Sequence, residues 1–448
     1  MRGPLDRNGP TPLLRRSFLT ALSGAGGALL FGSAGGGTSS GCNRGSGFRP
    51  EYARRFEEVL IVYDQVALPF YLNEVLEILN CLPAKRKVYV LVSERREKEA
   101  RRNLNIPGLD ARFVVVPGAY LWGDWGRDIF FAGWRRGEAV LFVPYTKTAE
   151  TRGRLTRGYE VLRALQDEAH KVVLVPLAFE GGNMAYDCAD GKRVLFVGTS
   201  VLVESDSLYR RWFGRSLGTK ACLSILKRFF EVDRVVPLGR FKDGKPLRQS
   251  SFFFHIDLAC VILQEGVAGV ERFEVPSDTK ALRKEIASEL RFEAEMRRKE
   301  GRILIEKALR ERIKESVFFE YRRLQEAHAE LEAVRGTFRS MGYRIIDLPT
   351  DWRRVRRTQS YTNVLVGEDR LIMPIFPKPG SARVRTRMSG GREVVEVLKP
   401  PAPEDYALEG PNLQNYKIYR SLFGDVRVIR DCFYLAGGNI HCVIGSLG

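Results

Sequence analysis

The sequence lacks the cysteine and histidine spacings from which proteins build structural metal centres. Its 448 residues include seven cysteines and only four histidines, with no C-x-x-C pair and no matched Cys/His spacing, which argues against a structural zinc site. No apolar run is long and glycine-poor enough to be a convincing membrane-spanning helix. The chain also has no pattern typical of an RRM, a KH domain or a zinc finger, so the common nucleic-acid modules find no support.

Acidic residues are in the minority, since 72 Lys and Arg face 54 Asp and Glu, which gives a net charge of +18. A basic balance favours anionic partners. The excess is spread along the chain, with denser patches at Arg353, Arg354, Arg356 and Arg357 and from Arg383 to Arg387. We interpret these patches as solvated surface and expect no nucleic-acid partner.

The N-terminal region has the features of an export signal. Paired arginines, Arg15 and Arg16, precede a mildly apolar Gly/Ala-rich run and then small residues, which predicts a twin-arginine-type signal and linker over residues 1–50. Cys42 follows Ser-Ser-Gly, as in a lipoprotein cleavage box that lacks its usual leucine, so lipid attachment at Cys42 and cleavage nearby both stay open. We expect a periplasmic, membrane-anchored or secreted protein. Because such passengers fold in the reducing cytoplasm, free thiols are favoured over a disulfide framework.

One pattern recurs five times along the chain. An amphipathic helical stretch leads into a run rich in valine and isoleucine, which ends in a short polar cluster; residues 159–183, YEVLRALQDEAHKVVLVPLAFEGGN, are the clearest copy. Helices alternating with strands in this way predict an α/β architecture for residues 51–448. Five units arranged around an axis would bring the five polar clusters to one central face.

One segment, residues 277–333, interrupts the repeat. It is charged, helical in pattern and free of proline, and Gly301 suggests a bend between two helices. Leu324, Leu331 and Phe338 fall seven residues apart, which is typical of a helix-packing seam. Two interpretations are open, a helical hairpin packed on its own domain and an arm that binds a partner.

The polar clusters contain the residue types of a thiol-dependent site. They comprise Arg127 and Asp128, the run from Glu180 to Asn183, His255 and Asp257, Asn363, and the C-terminal GGNIHC that ends in Cys442. We expect His255 and Asp257 to lie two apart on one strand and to face the same way. Each has a plain alternative, since Cys442 could be a buried apolar residue and His255 with Asp257 a satisfied structural pair.

Taken together, one thiol, one imidazole and three carboxylates suit the attack on a cationic, planar carbon. Carboxylates can bind a guanidinium group through paired hydrogen bonds. Its carbon is a poor electrophile and needs a nucleophile as strong as a thiolate, whose formation a nearby cation favours. The bound guanidinium could itself be that cation.

The order of the motifs W-x-R-D, E-G-G-N, H-I-D, Y-x-N and G-G-N-I-H-C resembles that of the guanidine-modifying, or pentein, superfamily. Within it, the sequence is similar to the bacterial peptidylarginine deiminase and agmatine deiminase family over about residues 55–448, apart from the helical insertion. The resemblance implies a five-bladed α/β propeller that needs no metal or cofactor.

The resemblance also implies roles for individual residues. Cys442 would be the nucleophile and His255 the general acid and then base, with Asp128 and Asp257 holding the guanidinium nitrogens. Glu180 would add a carboxylate and Asn363 would orient the site. The remaining motif residues expected to bind substrate are Trp125, Arg127, Asn183 and Asn439, and His441 would support them.

The sequence departs from the pattern of many agmatine deiminases, because Asp128 is followed by Ile-Phe-Phe instead of x-Gly-Pro. We therefore predict a hydrolase that converts peptidyl-arginine to peptidyl-citrulline and ammonia. The alternatives are an agmatine or free-arginine deiminase, an amidinotransferase, an exported non-catalytic binding protein on the same shell, and a scaffold acting through the helical insertion. The expected partner is an arginine-containing peptide or a small guanidino compound.

Overall fold

A computed structural model describes most of the chain between residues 50 and 446. The described ranges are 50–63, 69–83, 86–105, 109–116, 127–135, 138–144, 171–299, 306–378, 381–389, 392–399, 401–431 and 440–446. The predicted export signal with Cys42 lies outside them, as do Trp125, Gly301 and Asn439.

The described residues form α-helices and short strands in alternation. The strands are β1 Glu58–Val62, β2 Lys87–Ser93, β3 Asp110–Val116, β4 Phe131–Arg135, β5 Glu138–Pro144, β6 Lys171–Val175, β7 Met184–Ala189, β8 Lys192–Gly198, β9 Arg234–Leu238, β10 Phe241–Lys242, β11 Lys245–Pro246, β12 Cys260–Gln264, β13 Val267–Arg272, β14 Arg344–Pro349, β15 Leu365–Val366, β16 Arg370–Ile375, β17 Arg383–Ser389, β18 Arg392–Lys399, β19 Asp425–Arg430 and β20 Ile444–Ser446. The α-helices are α1 Pro69–Cys81, α2 Glu97–Asn103, α3 Thr199–Phe213, α4 Thr219–Phe229, α5 Lys280–Lys299, α6 Glu306–Ser340, α7 Trp352–Val355, α8 Gly410–Leu422 and α9 Ile440–Val443.

Five small sheets repeat one strand arrangement. In four of them an antiparallel pair is extended by a parallel strand, in the orders β4-β5-β6, β7-β8-β9, β12-β13-β14 and β15-β16-β19. In the remaining sheet the C-terminal β20 pairs antiparallel with β1, which continues in parallel to β2 and β3. The two ends of the described chain therefore meet in one sheet, and the predicted α/β class is confirmed.

Strands β1, β2 and β8 are nearly continuous apolar runs because both of their faces are buried, as sheets covered on two sides require. In strand β2, successive side chains point alternately into two different cores. Val88, Val90 and Val92 pack into one core with α1, whereas Tyr89 and Leu91 pack into another. The valine-rich segments that suggested strands are thus the boundaries between neighbouring cores.

Each polar cluster lies just before the first strand of one sheet. Asp128 precedes β4, Asn183 precedes β7, Asp257 precedes β12, Asn363 precedes β15 and Cys442 precedes β20. Because the five sheets repeat one topology, these five junctions are equivalent positions. The fold therefore brings residues distant in sequence to equivalent places on a common scaffold.

The helical segment forms two helices, α5 and the longer α6, which ends at Ser340 instead of in the 330s. The predicted seam of Leu324, Leu331 and Phe338 is buried within the core that also contains β12 and β13. This seam packs against the chain's own sheets. Phe318 and Phe319 of α6 remain 65% and 60% exposed.

The arginine patch that precedes Tyr361 contacts this helical hairpin. The Arg356 guanidinium lies 3.2 Å from Glu285, 3.1 Å from Glu289 and 3.3 Å from Glu320. Arg357 also pairs with Glu285 and Glu289. The interpretation of this patch as solvated surface is wrong, because glutamates of α5 and α6, far away in sequence, neutralise it.

Cysteine pairing also differs from expectation. Cys81, Cys222, Cys260 and Cys442 are free, as predicted, but Cys188 on β7 is disulfide-bonded. A disulfide needs two cysteines whose α-carbons come within about 7 Å, a proximity that sequence spacing does not reveal. Strand β7 is at the edge of its sheet, which leaves it accessible to another segment.

None of the helices in the described ranges combines the length and the apolar character that a bilayer-spanning segment needs.

Candidate active site

Cys442 lies on the short helix α9, with its side chain buried. The Asn363 side chain contacts Cys442 and the residue before it. Its Nδ2 donates to Cys442 Sγ at 3.6 Å, and its Oδ1 accepts the His441 backbone N–H at 2.8 Å. The Arg127 backbone N–H donates to the Cys442 carbonyl at 3.1 Å. Residues from two other sheet junctions therefore fix the position of Cys442.

His255 and Asp257 do not lie on a strand, which corrects the expectation from the sequence. His255 is extended and is followed by a 3-10 helix, Ile256–Leu258, which comes before β12. The turn, not strand alternation, directs both side chains into the site. They pack against Gly182, where a Cβ atom would lie 2.6 Å from His255 Nδ1 and 3.1 Å from Asp257 Oδ2. This close approach is the physical reason for the glycine in E-G-G-N.

The His255 ring lies between two carboxylates and the thiol. Its Nε2 is 2.6 Å from Glu180 Oε2, and its Nδ1 is 3.8 Å from Asp128 Oδ1. The Cys442 thiol lies near the ring, since each of the two groups shifts the pKa of the other. The Glu180 side chain is 38% exposed, whereas those of His255 and Asp128 are almost fully buried. Glu180 is thus the member of the cluster that meets solvent.

Asp257 uses its two carboxylate oxygens differently. Oδ2 lies 3.0 Å from His441 Nδ1 and 3.6 Å from Arg127 Nε. Oδ1 is buried and has no hydrogen-bond partner within the described ranges, and the same is true of His255 Nδ1. Buried polar atoms are nearly always paired in proteins, so the unpaired acceptor Asp257 Oδ1 near a thiol points to a ligand with donors.

Glu51 belongs to this site and was not predicted. Its Oε1 lies 3.0 Å from His441 Nε2 and 2.6 Å from Arg127 Nη1. It comes from a 3-10 helix, Glu51–Ala53, that precedes β1 and is 390 residues away from His441. No motif marks Glu51, because its role follows from the pairing of β1 with β20, which brings the two chain ends together.

Arg127 and Asn183, which are predicted to bind substrate, also contact the segments that form the site. Arg127 is held by Glu51 and Asp257. Asn183 donates from Nδ2 to the Phe254 carbonyl at 3.1 Å, which steadies the segment that leads to His255. Trp125 and Asn439, also predicted to bind substrate, lie outside the described residues.

The site contains a neutral thiol beside charged histidines. Burial raises the pKa of the Cys442 thiol to about 11, Asp257 adds to the rise, and His255 opposes it. Burial lowers the pKa of His255, but Asp128, Cys442 and Glu180 outweigh it and hold that pKa well above the ordinary value. Without a ligand, Cys442 is therefore a thiol and His255 an imidazolium near pH 7.

We expect the alkylation of Cys442 by iodoacetamide to be slow near pH 7 and to accelerate about tenfold per pH unit up to about pH 10, because only the thiolate reacts. Mass spectrometry of the peptide that contains Cys442 measures the rate. A rate that levels off below pH 8 would contradict a neutral resting thiol.

Glu271 anchors the segment that carries Asn363. Its buried Oε1 accepts hydrogen bonds from the Ser360 hydroxyl at 3.0 Å and from the Thr362 N–H at 3.2 Å, and also accepts the Tyr361 N–H. Burial raises the pKa of Glu271 from 4.5 to about 8, against the effect of these donors. The carboxyl group is therefore protonated in the folded protein at a pH where it is ionised in the unfolded chain.

Because folded and unfolded chains bind this proton differently, the free energy of unfolding depends on pH. A raised pKa stabilises the fold below pH 4.5, and the contribution is lost as the pH rises towards 8. Relative to Glu271→Gln, the free energy of unfolding of the wild type should fall by up to about 4 kcal/mol between pH 4.5 and pH 8.5. Urea unfolding at both pH values measures this difference. The exposed Glu274→Gln is the control, and parallel curves for wild type and Glu271→Gln would refute the prediction.

The two carboxylates and the imidazole around the thiol have a geometry that suits cations in general. Ligand atoms of Asp128, Glu180 and His255 all lie within 4.8 Å of one another. Two carboxylates and an imidazole can bind a divalent metal ion, and the two carboxylates can equally accept N–H donors from an organic cation.

Comparison with known proteins gives matches at the level of structure. No family profile and no curated protein sequence matches the chain. A crystal structure assigned as a peptidyl-arginine deiminase aligns with a TM-score of 0.54 and 15% identity, covering 89% of this chain and 98% of that one. Agmatine deiminase of C. jejuni with substrate bound aligns with a TM-score of 0.52 and 13% identity, covering 89% and 94%.

Agmatine deiminase of Enterococcus faecalis aligns similarly, with a TM-score of 0.52 and 12% identity over 89% of this chain and 95% of that one. All three alignments extend over nearly the whole length of the known proteins. At these identities the likeness concerns the fold. The chain therefore shares the fold of these three deiminase structures.

Proposed function

We propose that this protein is a hydrolase that removes ammonia from a guanidinium group through a covalent intermediate on Cys442. The observation that carries the proposal is the convergence of the Cys442 thiol with the His255 ring and the Asp257 carboxylate, which come from a different sheet junction. Asp257 Oδ1, buried without a partner in the described structure, supplies an acceptor for a guanidinium N–H.

Substrate binding would create the nucleophile. The thiol is neutral in the free protein because burial and Asp257 raise its pKa to about 11. A guanidinium cation held by Asp128 and Asp257 places a positive charge beside the sulfur and favours the thiolate. The thiol proton leaves to solvent, which reaches the cluster at the partly exposed Glu180. The enzyme would thus be reactive only when occupied.

The chemistry then proceeds in two halves. The Cys442 thiolate forms a bond to the guanidinium carbon, the C–N bond breaks, and His255 gives its proton to the departing ammonia. Neutral His255 next takes a proton from water, which attacks the thiouronium carbon. The C–S bond breaks and releases the ureido product, so the net reaction converts guanidinium and water into a urea and ammonium.

We propose peptidyl-arginine as the substrate, which would give peptidyl-citrulline. Support comes from the residues that follow Asp128 and from the structural likeness to a protein assigned as a peptidyl-arginine deiminase. The substrate-bound agmatine deiminase shows that this fold accepts a small guanidino compound as well. Agmatine and free arginine are therefore the competing substrates.

We further propose that the five sheets are the blades of a propeller whose centre is the site, and that the protein is exported. Equivalent placement of the polar clusters before five sheets supports the first. The twin-arginine-type sequence supports the second, and so does the disulfide at Cys188, since disulfides persist in oxidising compartments.

A substrate panel tests the proposed reaction. The purified protein is incubated with an arginyl peptide, free arginine and agmatine while ammonia and the ureido product are measured. We expect turnover of at least one, with the peptide preferred. Glycine or ornithine added as an acceptor reveals any amidino transfer. A folded sample that releases ammonia from none of the three would overturn the proposal.

A further inference from the structure

A network of charged side chains contacts Asp257, and its members have no role in the proposed reaction steps. It joins Glu51, Arg127 and His441, whose side chains are buried or nearly so. Glu51 and His441 come from the two ends of the described chain, and Asp257 lies between β7 and β12 in sequence. A buried group of opposite charges assembled from three segments constrains each of its members.

The two ring nitrogens of His441 face two different carboxylates. Nδ1 is 3.0 Å from Asp257 Oδ2, and Nε2 is 3.0 Å from Glu51 Oε1. Carboxylates accept hydrogen bonds, so both nitrogens donate and the ring is an imidazolium. Burial and Arg127 lower the pKa of His441, but Glu51 and Asp257 outweigh them and raise it.

Glu51 is itself held as a carboxylate. Burial raises its pKa, yet Arg127 and His441 together lower that pKa well below the ordinary value, with Arg54 contributing. Arg54 is fixed in turn, since its Nη2 donates to the Ala132 carbonyl at 2.9 Å. Glu51 therefore has a fixed position and a fixed charge beside the His441 ring.

We propose that Glu51 and His441 are a positioning pair that fixes the Asp257 carboxylate, with Oδ2 bound to the protein and Oδ1 presented to the substrate guanidinium. The inference rests on the proposed function for the identity of the ligand. A charged His441 keeps Asp257 Oδ2 engaged, so the carboxylate cannot rotate to share both oxygens with Arg127, whose Nε is only 3.6 Å from Oδ2. Glu51 acts on the substrate through His441 and does not need to touch it.

Glu51→Gln tests the pair, with Tyr52→Phe as the matched control. The control removes a hydrogen bond from the same short helix, the Tyr52 hydroxyl to Asp187 at 2.7 Å, but does not touch His441. The first readout is the ¹⁵N NMR titration of His441, which is practical because the chain has only four histidines. The signals of His441 are assigned by their loss in His441→Gln. The second is the separation of kcat and KM for the substrate that the panel identifies.

In Glu51→Gln the pKa of His441 should fall by about one unit or more, because the main charge that raises it is gone. KM should rise about tenfold while kcat falls less than about threefold, since Asp257 holds the guanidinium before and during the reaction. Tyr52→Phe should change neither quantity.

An unchanged His441 titration in Glu51→Gln, or kinetics equal to those of Tyr52→Phe, would overturn the inference. Absence of turnover by the wild type would instead reject the proposed function. In that case the NMR titration still decides whether Glu51 holds the charge of His441, so the two failures are distinguishable.

Discussion

Replacement of Cys442 by alanine is expected to lower kcat/KM for the guanidino substrate by at least about 10⁴-fold, because no other group can form the covalent bond. The Cys442 sulfur lies 3.6 Å from the Asn363 amide and near the His255 ring, which lowers its pKa. Ammonia release at saturating substrate measures the loss. Thermal unfolding of the variant should stay close to that of the wild type, because the substitution removes a single buried atom.

Cys81→Ser is the matched control. Cys81 is a free, half-buried cysteine on α1, remote from the site in the fold, and its substitution should leave kcat/KM within about twofold. Turnover by Cys442→Ala at the wild-type rate would show that the thiol is not the nucleophile. The residues would then have to be reassigned to a different chemistry.

Replacement of His255 by glutamine is expected to lower kcat by about 10³-fold, since a positioned general acid and base contributes about 10²–10⁴. His255 contacts Glu180 at 2.6 Å and lies beside Asp128, and both carboxylates keep it protonated and ready to give its proton to ammonia. Glutamine retains a hydrogen bond but cannot transfer the proton. Binding of substrate should change much less than kcat.

The positive charge of His255 also lowers the pKa of Cys442. Glutamine lacks this charge, so the variant should react with iodoacetamide more slowly than the wild type at any given pH. His328→Gln is the control, because His328 is exposed on α6 and contacts the Phe273 ring. A His255→Gln variant with wild-type kcat would remove the general acid from the account.

The sequence predicts the strands and the positions of the polar clusters because both depend on local patterns. Runs such as the one that forms β2 are buried on two faces and so are apolar throughout. The clusters follow these runs at regular places. The resemblance of their motifs to a known family, and not the local pattern alone, supplies the roles expected of Cys442, His255 and Asn363.

Contacts between distant segments could not be predicted in the same way. Glu51 reaches His441 only because β1 and β20 pair, and nothing near Glu51 in sequence indicates it. The turn that contains Asp257 was mistaken for a strand because its neighbours are apolar on both sides. Among the arginines before Tyr361, Arg356 pairs with Glu285 and Glu320 of the helical hairpin. These glutamates are distant in sequence, so the local pattern does not indicate the contact.

The sequence predicts some features of the helical segment and not others. Its heptad-like spacing correctly indicated which side chains of α6 are buried. Its end at Ser340 is marked locally by Gly342, whose φ of 79° suits the turn that leads to β14. The extent of the insertion as a separate unit, residues 277–333, stays a prediction.

The most direct measurement is intact-protein and peptide mass spectrometry of enzyme quenched with acid during turnover of a guanidino substrate. The account predicts an adduct on Cys442 whose mass is that of the substrate less ammonia, and none on Cys81, Cys222 or Cys260. Ammonia release without any adduct on Cys442, in the wild type and in the slow His255→Gln variant alike, would contradict the covalent mechanism.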